Sequence, residues 1–126
     1  MKSYTDIEQS KELAEILPIE SADMNWHELP SIGFFARAFS YKRDNGATEG
    51  LYPCWSLAAL LGVIPQEIFD GEYIINITEG CDDRWALTYD HHENRNHSYY
   101  GLSSGADNLV DACYEVILKL HERNLL

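Results

Sequence analysis

Residues 72–90, EYIINITEGCDDRWALTYD, decide the fold class of this chain. Two runs rich in β-branched and aromatic residues, 72–78 and 84–90, flank the turn-like segment EGCDD. Runs of this composition favour extended strands, and a short polar connection between them predicts an antiparallel hairpin. The second half of the chain is therefore expected to contain at least two strands of an antiparallel sheet.

Three segments have the sequence pattern of helices. The first, about 5–17, begins with TDIE, which fits a capping box with Thr5 as the N-cap. The second, about 53–61, runs between a proline and a glycine, and its nearly continuous apolar sequence predicts a helix buried on most sides. The third opens with SSGADN, where Ser104 is the expected N-cap, and ends near Asn124.

Further strands are expected on either side of the central helix. Residues 32–43, IGFFARAFSYKR, alternate in the manner of a strand and are followed by an Asn45-Gly46 turn. A short strand is expected around 24–26, and HSYYGL, residues 97–102, is expected to return beside the hairpin.

Helices at both ends and in the middle, with antiparallel strands between them, are typical of the α+β class. We expect a single domain over residues 1–126, with an antiparallel sheet of three to five strands packed against N-terminal, central and C-terminal helices. A hydrophobic fraction of 45% is enough to form the core of such a domain.

The charge and the cysteines exclude several classes of protein. A formal net charge of −12 repels phosphates, which argues against direct nucleic-acid binding. No apolar run approaches the roughly 20 residues of a membrane span, and the N-terminus lacks a signal-peptide pattern, so we expect a cytoplasmic protein without membrane contact. Cys54, Cys81 and Cys113 have no C-x-x-C spacing and are expected to be reduced and mostly buried.

One locally basic segment is also rich in aromatic residues. Residues 31–60 carry three basic residues against two acidic ones, net +1, in an otherwise acidic chain. Aromatic rings stack on bases and arginine pairs with phosphate, so we expect a small anionic or nucleotide-like ligand there. Ordinary core and sheet packing of these side chains is the alternative that stays open. The expected ligand-binding residues are Phe35, Arg37, Phe39 and Tyr41 on one side of the strand, joined by Trp26, Arg84, Trp85, Arg95, Tyr99 and, at a helix N-terminus, Ser104.

No segment has the spacing of a catalytic or metal-binding motif. His91, His92 and His97 lie near carboxylates, but adjacent histidines in a strand tail point in opposite directions, which favours a solvated loop over a metal site. The serines of GLSSG lack the G-x-S-x-G elbow of hydrolases. Catalytic residues, a bound metal and a cofactor are therefore not expected.

Three blocks of the chain resemble the recurring blocks of one family. They are TDIEQSKELAEILPIESADM at 5–24, PCWSLAALLGVIP at 53–65 and ADNLVDACYEVILKLHERNLL at 106–126, together a little under half of the chain. The family comprises short proteins of unknown function from gut anaerobic bacteria, their prophages and mobile elements. The resemblance implies an accessory protein of a phage or mobile element, acting in the host cytoplasm, and it implies no particular activity or ligand.

The expected function is that of a non-enzymatic phage or mobile-element accessory protein that binds and sequesters a small anionic, nucleotide-like ligand, and so counters host defence. Two alternatives remain open. One is an acidic inhibitor that imitates nucleic acid and binds a host protein. The other is a small nucleotide hydrolase. Assembly into a homo-oligomer is a further alternative, because short chains often build a pocket at a two-fold interface.

Overall fold

The structure is a computed structural model that describes residues 2–38, 51–80, 82 and 84–126. The described residues form three α-helices and seven strands. The helices are α1, Ile7–Ala14; α2, Leu57–Val63; and α3, Leu109–Glu122. The strands are β1, Met24–Leu29; β2, Gly33–Ala38; β3, Leu51–Cys54; β4, Glu67–Ile68; β5, Tyr73–Glu79; β6, Trp85–His91; and β7, Ser104–Ala106. The predicted α+β class is confirmed.

The strands form two antiparallel sheets. One has three strands in the order β2-β1-β3, and the other has four in the order β4-β5-β6-β7. The predicted hairpin is β5-β6, whose register runs from the pair Tyr73 and His91 to the pair Glu79 and Trp85. Within the described residues, no helix combines the length and the apolar composition needed to cross a membrane.

The core lies between the helices and one face of the four-stranded sheet. Along β6, Leu87 and Tyr89 point inward and are fully buried, as the period-two alternation of a strand requires. The amphipathic face of α3 covers them with seven buried residues: Leu109, Val110, Ala112, Cys113, Val116, Ile117 and Leu120. Packing of one apolar helix face onto one apolar sheet face thus holds the C-terminal half together.

The first helix begins one residue later than the sequence pattern predicts. Asp6 is the N-cap: its side chain accepts from the Gln9 amide, and the Gln9 side chain accepts from the Asp6 amide. Thr5 was the predicted cap, but its hydroxyl is buried and accepts from the amide of Trp55. A side chain used in this tertiary contact is not available to cap its own helix.

The central helix differs more from its prediction. Pro53 is not its first residue but part of β3, an edge strand, where its missing amide costs no ladder hydrogen bond. Ser56 caps α2 by accepting from Ala59, and Gly62 lies inside the helix rather than after it. Leu60 is the one buried residue of α2, so the predicted helix buried on most sides is wrong.

Two predictions for the last quarter of the chain are also wrong. Ser104 does not cap the last helix; it belongs to β7, and its hydroxyl donates to the carbonyl of Ala112. Asn108 is the N-cap, since its side chain accepts from the Asp111 amide. The segment HSYYGL forms only an isolated bridge at Ser98 and a single 3₁₀ turn. The strand that pairs with β6 on this side is β7.

The strand expected around 24–26 extends to Leu29 as β1, and only the first part of the strand expected over 32–43 lies in the described residues, as β2. The predicted Asn45-Gly46 turn falls outside them. Of the cysteines, Cys54 and Cys113 are buried free thiols as predicted, and Cys81 falls outside the described residues.

Candidate functional site

The three-stranded sheet has two chemically different faces. One face packs on the N-terminal segment: the Trp26 indole donates to the carbonyl of Thr5 at 3.0 Å and its ring meets the edge of Tyr4. On the same face, the ammonium group of Lys11 lies 5.6 Å from the ring centre of Phe34. Trp26, an expected ligand-binding residue, is therefore used for packing against the start of the chain.

The opposite face carries two of the other expected residues, Phe35 and Arg37. The register places Asn25 beside Arg37 and His27 beside Phe35, all four on this side of the sheet. The rings of His27 and Phe35 stack, with centroids 5.1 Å apart and planes 14° from parallel. We call these four residues the Asn25–Arg37 face. Phe39 and Tyr41, predicted to extend the same face, lie outside the described residues.

Asn25 has an unusual environment for an amide side chain. It is 5% exposed, and its Nδ2 atom is buried without a hydrogen-bond partner. Within the described part of the chain, the hydroxyl of Ser103 is the other buried side-chain polar atom in this situation. A buried donor without an acceptor costs about 1–3 kcal/mol, so such a group calls for an explanation.

Arg37 adds an exposed positive charge beside this amide. No hydrogen bond or ion pair of its guanidinium is found within the described residues. Other cations there do have partners: Lys2 binds Asp111 at 2.8 Å, and Arg84 donates to the carbonyl of Gly105. The Arg37 guanidinium, which has no partner among the described residues, lies on the strand opposite the buried Asn25 amide, and its N–H donors suit a phosphate, a carboxylate or a carbonyl oxygen.

The remaining expected residues lie on the other sheet and do not come together. Arg84 and Trp85 are at the start of β6, where Trp85 pairs with β7. Arg95 lies beyond the far end of β6, seven residues long, so the two arginines are separated by roughly 20 Å of strand. Ser104 is buried and bonded to Ala112, and Trp85 packs against the core. The sheet thus divides the expected set into separate groups.

Tyr99 belongs to a cluster of rings at the end of β6 near Arg95. Its centroid lies 5.4 Å from Phe69 and 5.5 Å from Tyr73. The Arg123 guanidinium lies over the Tyr99 ring at 5.6 Å from its centroid, and it passes so close to Gly101 that a Cβ there would make the guanidinium shift. The ring is therefore already occupied by contacts within the chain.

The nucleophilic and metal-binding side chains show no assembled centre. Burial raises the pKa of the Cys54 thiol and raises the pKa of the Cys113 thiol to about 12, which keeps both protonated and unreactive at neutral pH. His91 and His92 were expected to point in opposite directions, but their rings stack on one another, and His91 makes an edge contact with His97. In the described ranges, no three His, Cys, Asp or Glu side chains are placed to hold a metal ion.

Asn25 and His27 are the residues of this face that the sequence pattern missed. The run MNWHEL has no β-branched residue, so only a short strand was expected there. The available signal was the turn segment that follows, in which Pro30 and Gly33 separate two aromatic-containing runs. A hairpin read from that turn would have paired His27 with Phe35.

Comparisons with protein-family models, with curated proteins and with solved structures find no match for this chain. Its function is therefore inferred from the contacts of its own residues.

Proposed function

We propose that this chain is a non-enzymatic binding protein that holds a small anionic, nucleotide-like ligand on the Asn25–Arg37 face. The observation that carries the proposal is that, among the described residues, the Asn25 amide nitrogen and the guanidinium of its cross-strand neighbour Arg37 both lack partners. A ligand oxygen that accepts from the Arg37 guanidinium neutralises its charge, and an acceptor that reaches the buried Asn25 nitrogen removes the cost of that donor.

The other two residues of the face account for the nucleotide-like character of the ligand. The stacked pair of His27 and Phe35 presents planar rings beside the guanidinium. A base stacks on any aromatic face, which contributes about 1–3 kcal/mol per base, while arginine takes a phosphate in a two-pronged hydrogen bond. Rings, a guanidinium and an amide in one surface therefore match the base and the phosphate of one molecule.

The biological setting of this proposal comes from the resemblance of the three sequence blocks. An accessory protein of a prophage or mobile element gains an advantage if it removes a nucleotide signal that activates host defence. Sequestration needs binding without turnover, and the four residues of the face provide binding groups.

The test is isothermal titration calorimetry of the full chain against cyclic dinucleotides, ADP-ribose and its phosphorylated derivatives. We expect at least one of these to bind, and we expect Arg37→Gln to weaken that binding about tenfold or more. The matched control is Arg84→Gln, which removes the same charge from the other sheet, where Arg84 bonds to a backbone carbonyl. Its affinity should stay within about threefold of the parent chain.

Ion-exchange chromatography of the ligand after incubation with the protein completes the test. Recovery of intact ligand is expected, and a product peak would replace sequestration by nucleotide hydrolysis. Absence of binding across the panel, or equal weakening by the two arginine variants, would show that the Asn25–Arg37 face is not the ligand site.

A further inference from the structure

A groove of about 440 Å³ lies between α1 and α3 and shares no residue with the Asn25–Arg37 face. Its volume falls within the roughly 300–1,000 Å³ that is usual for binding clefts. The groove is lined by Glu12, Glu15 and Ile16 from the first helical segment and by Glu115, Leu118, Lys119, His121 and Glu122 from α3.

Polar contacts at one end of the two helices hold the groove in shape. The carboxylate of Asp111 in α3 accepts from the Lys2 ammonium and from the side-chain amide of Gln9, both at 2.8 Å. One turn further along α3, the Tyr114 hydroxyl donates to the carboxylate of Glu12. Burial, with the Glu12 carboxylate next in importance, raises the pKa of Tyr114. The groove opens beyond these contacts and is formed before any partner binds.

The floor of the groove is apolar and its rim is acidic. Ile16 and Leu118 are half-buried, whereas the four glutamates are exposed. The one lysine of the lining, Lys119, donates its ammonium hydrogen to the carbonyl of Ser103 and so is directed away from the rim. The groove therefore presents an apolar strip between rows of negative charge.

We propose that this groove docks a basic amphipathic helix of a partner protein. Helix-in-groove recognition places an apolar stripe of side chains at i, i+3, i+4 and i+7 on an apolar floor. Lysines and arginines beside that stripe then face the four glutamates, which fixes the orientation of the helix.

Charge complementarity decides between this occupant and the others. A second copy of this chain carries the same net charge of −12 and is repelled, as are nucleic acids and anionic membranes. A basic helix is attracted by the rim and covers the apolar floor. The proposed partner is thus a protein with an exposed basic helix, and it is independent of the small ligand proposed above.

Three synthetic peptides of about 18 residues test the proposal, a length that gives about five helical turns. The first has a leucine stripe at i, i+3, i+4 and i+7 flanked by lysine and arginine. The second has the same composition with the leucines scrambled, and the third has glutamate in place of the basic residues. We expect the full chain to bind only the first, with amide chemical-shift changes concentrated at residues 12–16 and 115–122.

Matched variants separate the groove from general attraction to an acidic protein. Glu115→Lys with Glu122→Lys should weaken binding of the first peptide about 30-fold or more, since rim pairs become repulsive. The control is Glu20→Lys with Glu79→Lys, which makes the same change in net charge at exposed positions outside the groove and should weaken binding less than about threefold. Leu118→Ser should weaken binding without any change of charge.

Equal loss in the two double variants, equal binding of the scrambled peptide, or no binding of the first peptide at millimolar concentration would each overturn the proposal. Arg37→Gln tests whether the groove is independent of the small-ligand site, and it should leave peptide binding unchanged. Failure of the peptide test and failure of the ligand test are therefore distinguishable.

Discussion

The polar groups near the N-terminus and those of the Asn25–Arg37 face are both buried at least in part, but they are bonded very differently. Near the N-terminus, the fully buried Thr5 hydroxyl lies 2.7 Å from the Ser10 hydroxyl and accepts from the Trp55 amide at 3.1 Å. On the Asn25–Arg37 face, the buried amide nitrogen of Asn25 has no partner and Arg37 has no counter-ion within the described residues. The polar groups named near the N-terminus therefore have hydrogen-bond partners, whereas those named on the Asn25–Arg37 face have none among the described residues.

Other contacts extend the bonded region near the N-terminus to distant segments. The Trp55 indole donates to the Ser21 hydroxyl at 2.9 Å, and the Ser56 amide donates to the Asp23 carboxylate at the same distance. These bonds join two of the three sequence blocks, and the Lys2 and Gln9 contacts with Asp111 bring in α3, the third. The three sequence blocks are thus joined to one another by hydrogen bonds, whereas among the described residues the buried polar atoms without a partner, on Asn25 and Ser103, lie just outside the blocks.

The largest expected effect is a loss of folding, caused by a change in the core residue of α2. Leu60→Asp places a carboxylate in the core at a fully buried position of α2, and we expect it to abolish soluble folding, a loss of about 4 kcal/mol or more. The control is Leu61→Asp, one residue along the same helix and 36% exposed, which should keep the parent circular-dichroism spectrum. A folded Leu60→Asp protein would show that α2 does not anchor the core.

An intermediate effect, on the free energy of unfolding, distinguishes the bonded Thr5 from the unpartnered amide nitrogen of Asn25. Thr5→Val keeps the side-chain shape but leaves the Trp55 amide without its acceptor, so the free energy of unfolding should fall by about 2 kcal/mol. Asn25→Leu removes a donor that has no partner, so stability should be unchanged or rise by about 1 kcal/mol while ligand binding is lost. Urea denaturation of the two variants measures this contrast, and equal destabilisation would contradict it.

The smallest expected effect depends on pH. Burial opposes ionisation of Asp111, but hydrogen bonds from Lys2, Gln9 and Asn108 outweigh it and hold the pKa of Asp111 below its usual 3.8. A lowered folded-state pKa stabilises the fold above about pH 4, and that stability is lost as pH falls through the folded-state pKa. Because the side chain is about a third exposed, Asp111→Asn should cost only about 1 kcal/mol at pH 7.

Thermal melts of Asp111→Asn and of the parent chain at several pH values measure this effect. The difference in Tm should be constant between pH 5 and 9 and should shrink as the pH falls through the lowered folded-state pKa of Asp111, where the native carboxylate also becomes protonated. Asp107→Asn, an exposed change just before the α3 cap, serves as the control and should show a smaller difference at every pH. A Tm difference that persists unchanged at pH 2 would assign the role of Asp111 to packing.

Elements with a strong local pattern were predictable. The two strands of the β5-β6 hairpin are rich in β-branched and aromatic residues around a short polar turn, and α3 repeats its apolar residues at helical spacing, so each carries its structure in a short stretch. Of the candidate site, Phe35 and Arg37 were predicted on one face because alternation in a strand is equally local. The neighbouring Asn25 and His27 were not, because strand pairing supplies them from a segment with weak β propensity.

The sequence by itself determined the α+β class, the central hairpin, the C-terminal helix and the acidity of the whole chain, since these depend on local periodicity and on composition. Only the tertiary structure decided that Pro53 belongs to an edge strand and that Arg84 and Arg95 lie apart. It also decided that the Thr5 hydroxyl accepts from the Trp55 amide instead of capping its own helix. It likewise decided that Asn25 is buried on the strand opposite Arg37, with no acceptor for its amide nitrogen among the described residues. Hydrogen bonds between distant segments compete with local preferences, and their outcome depends on which segments meet.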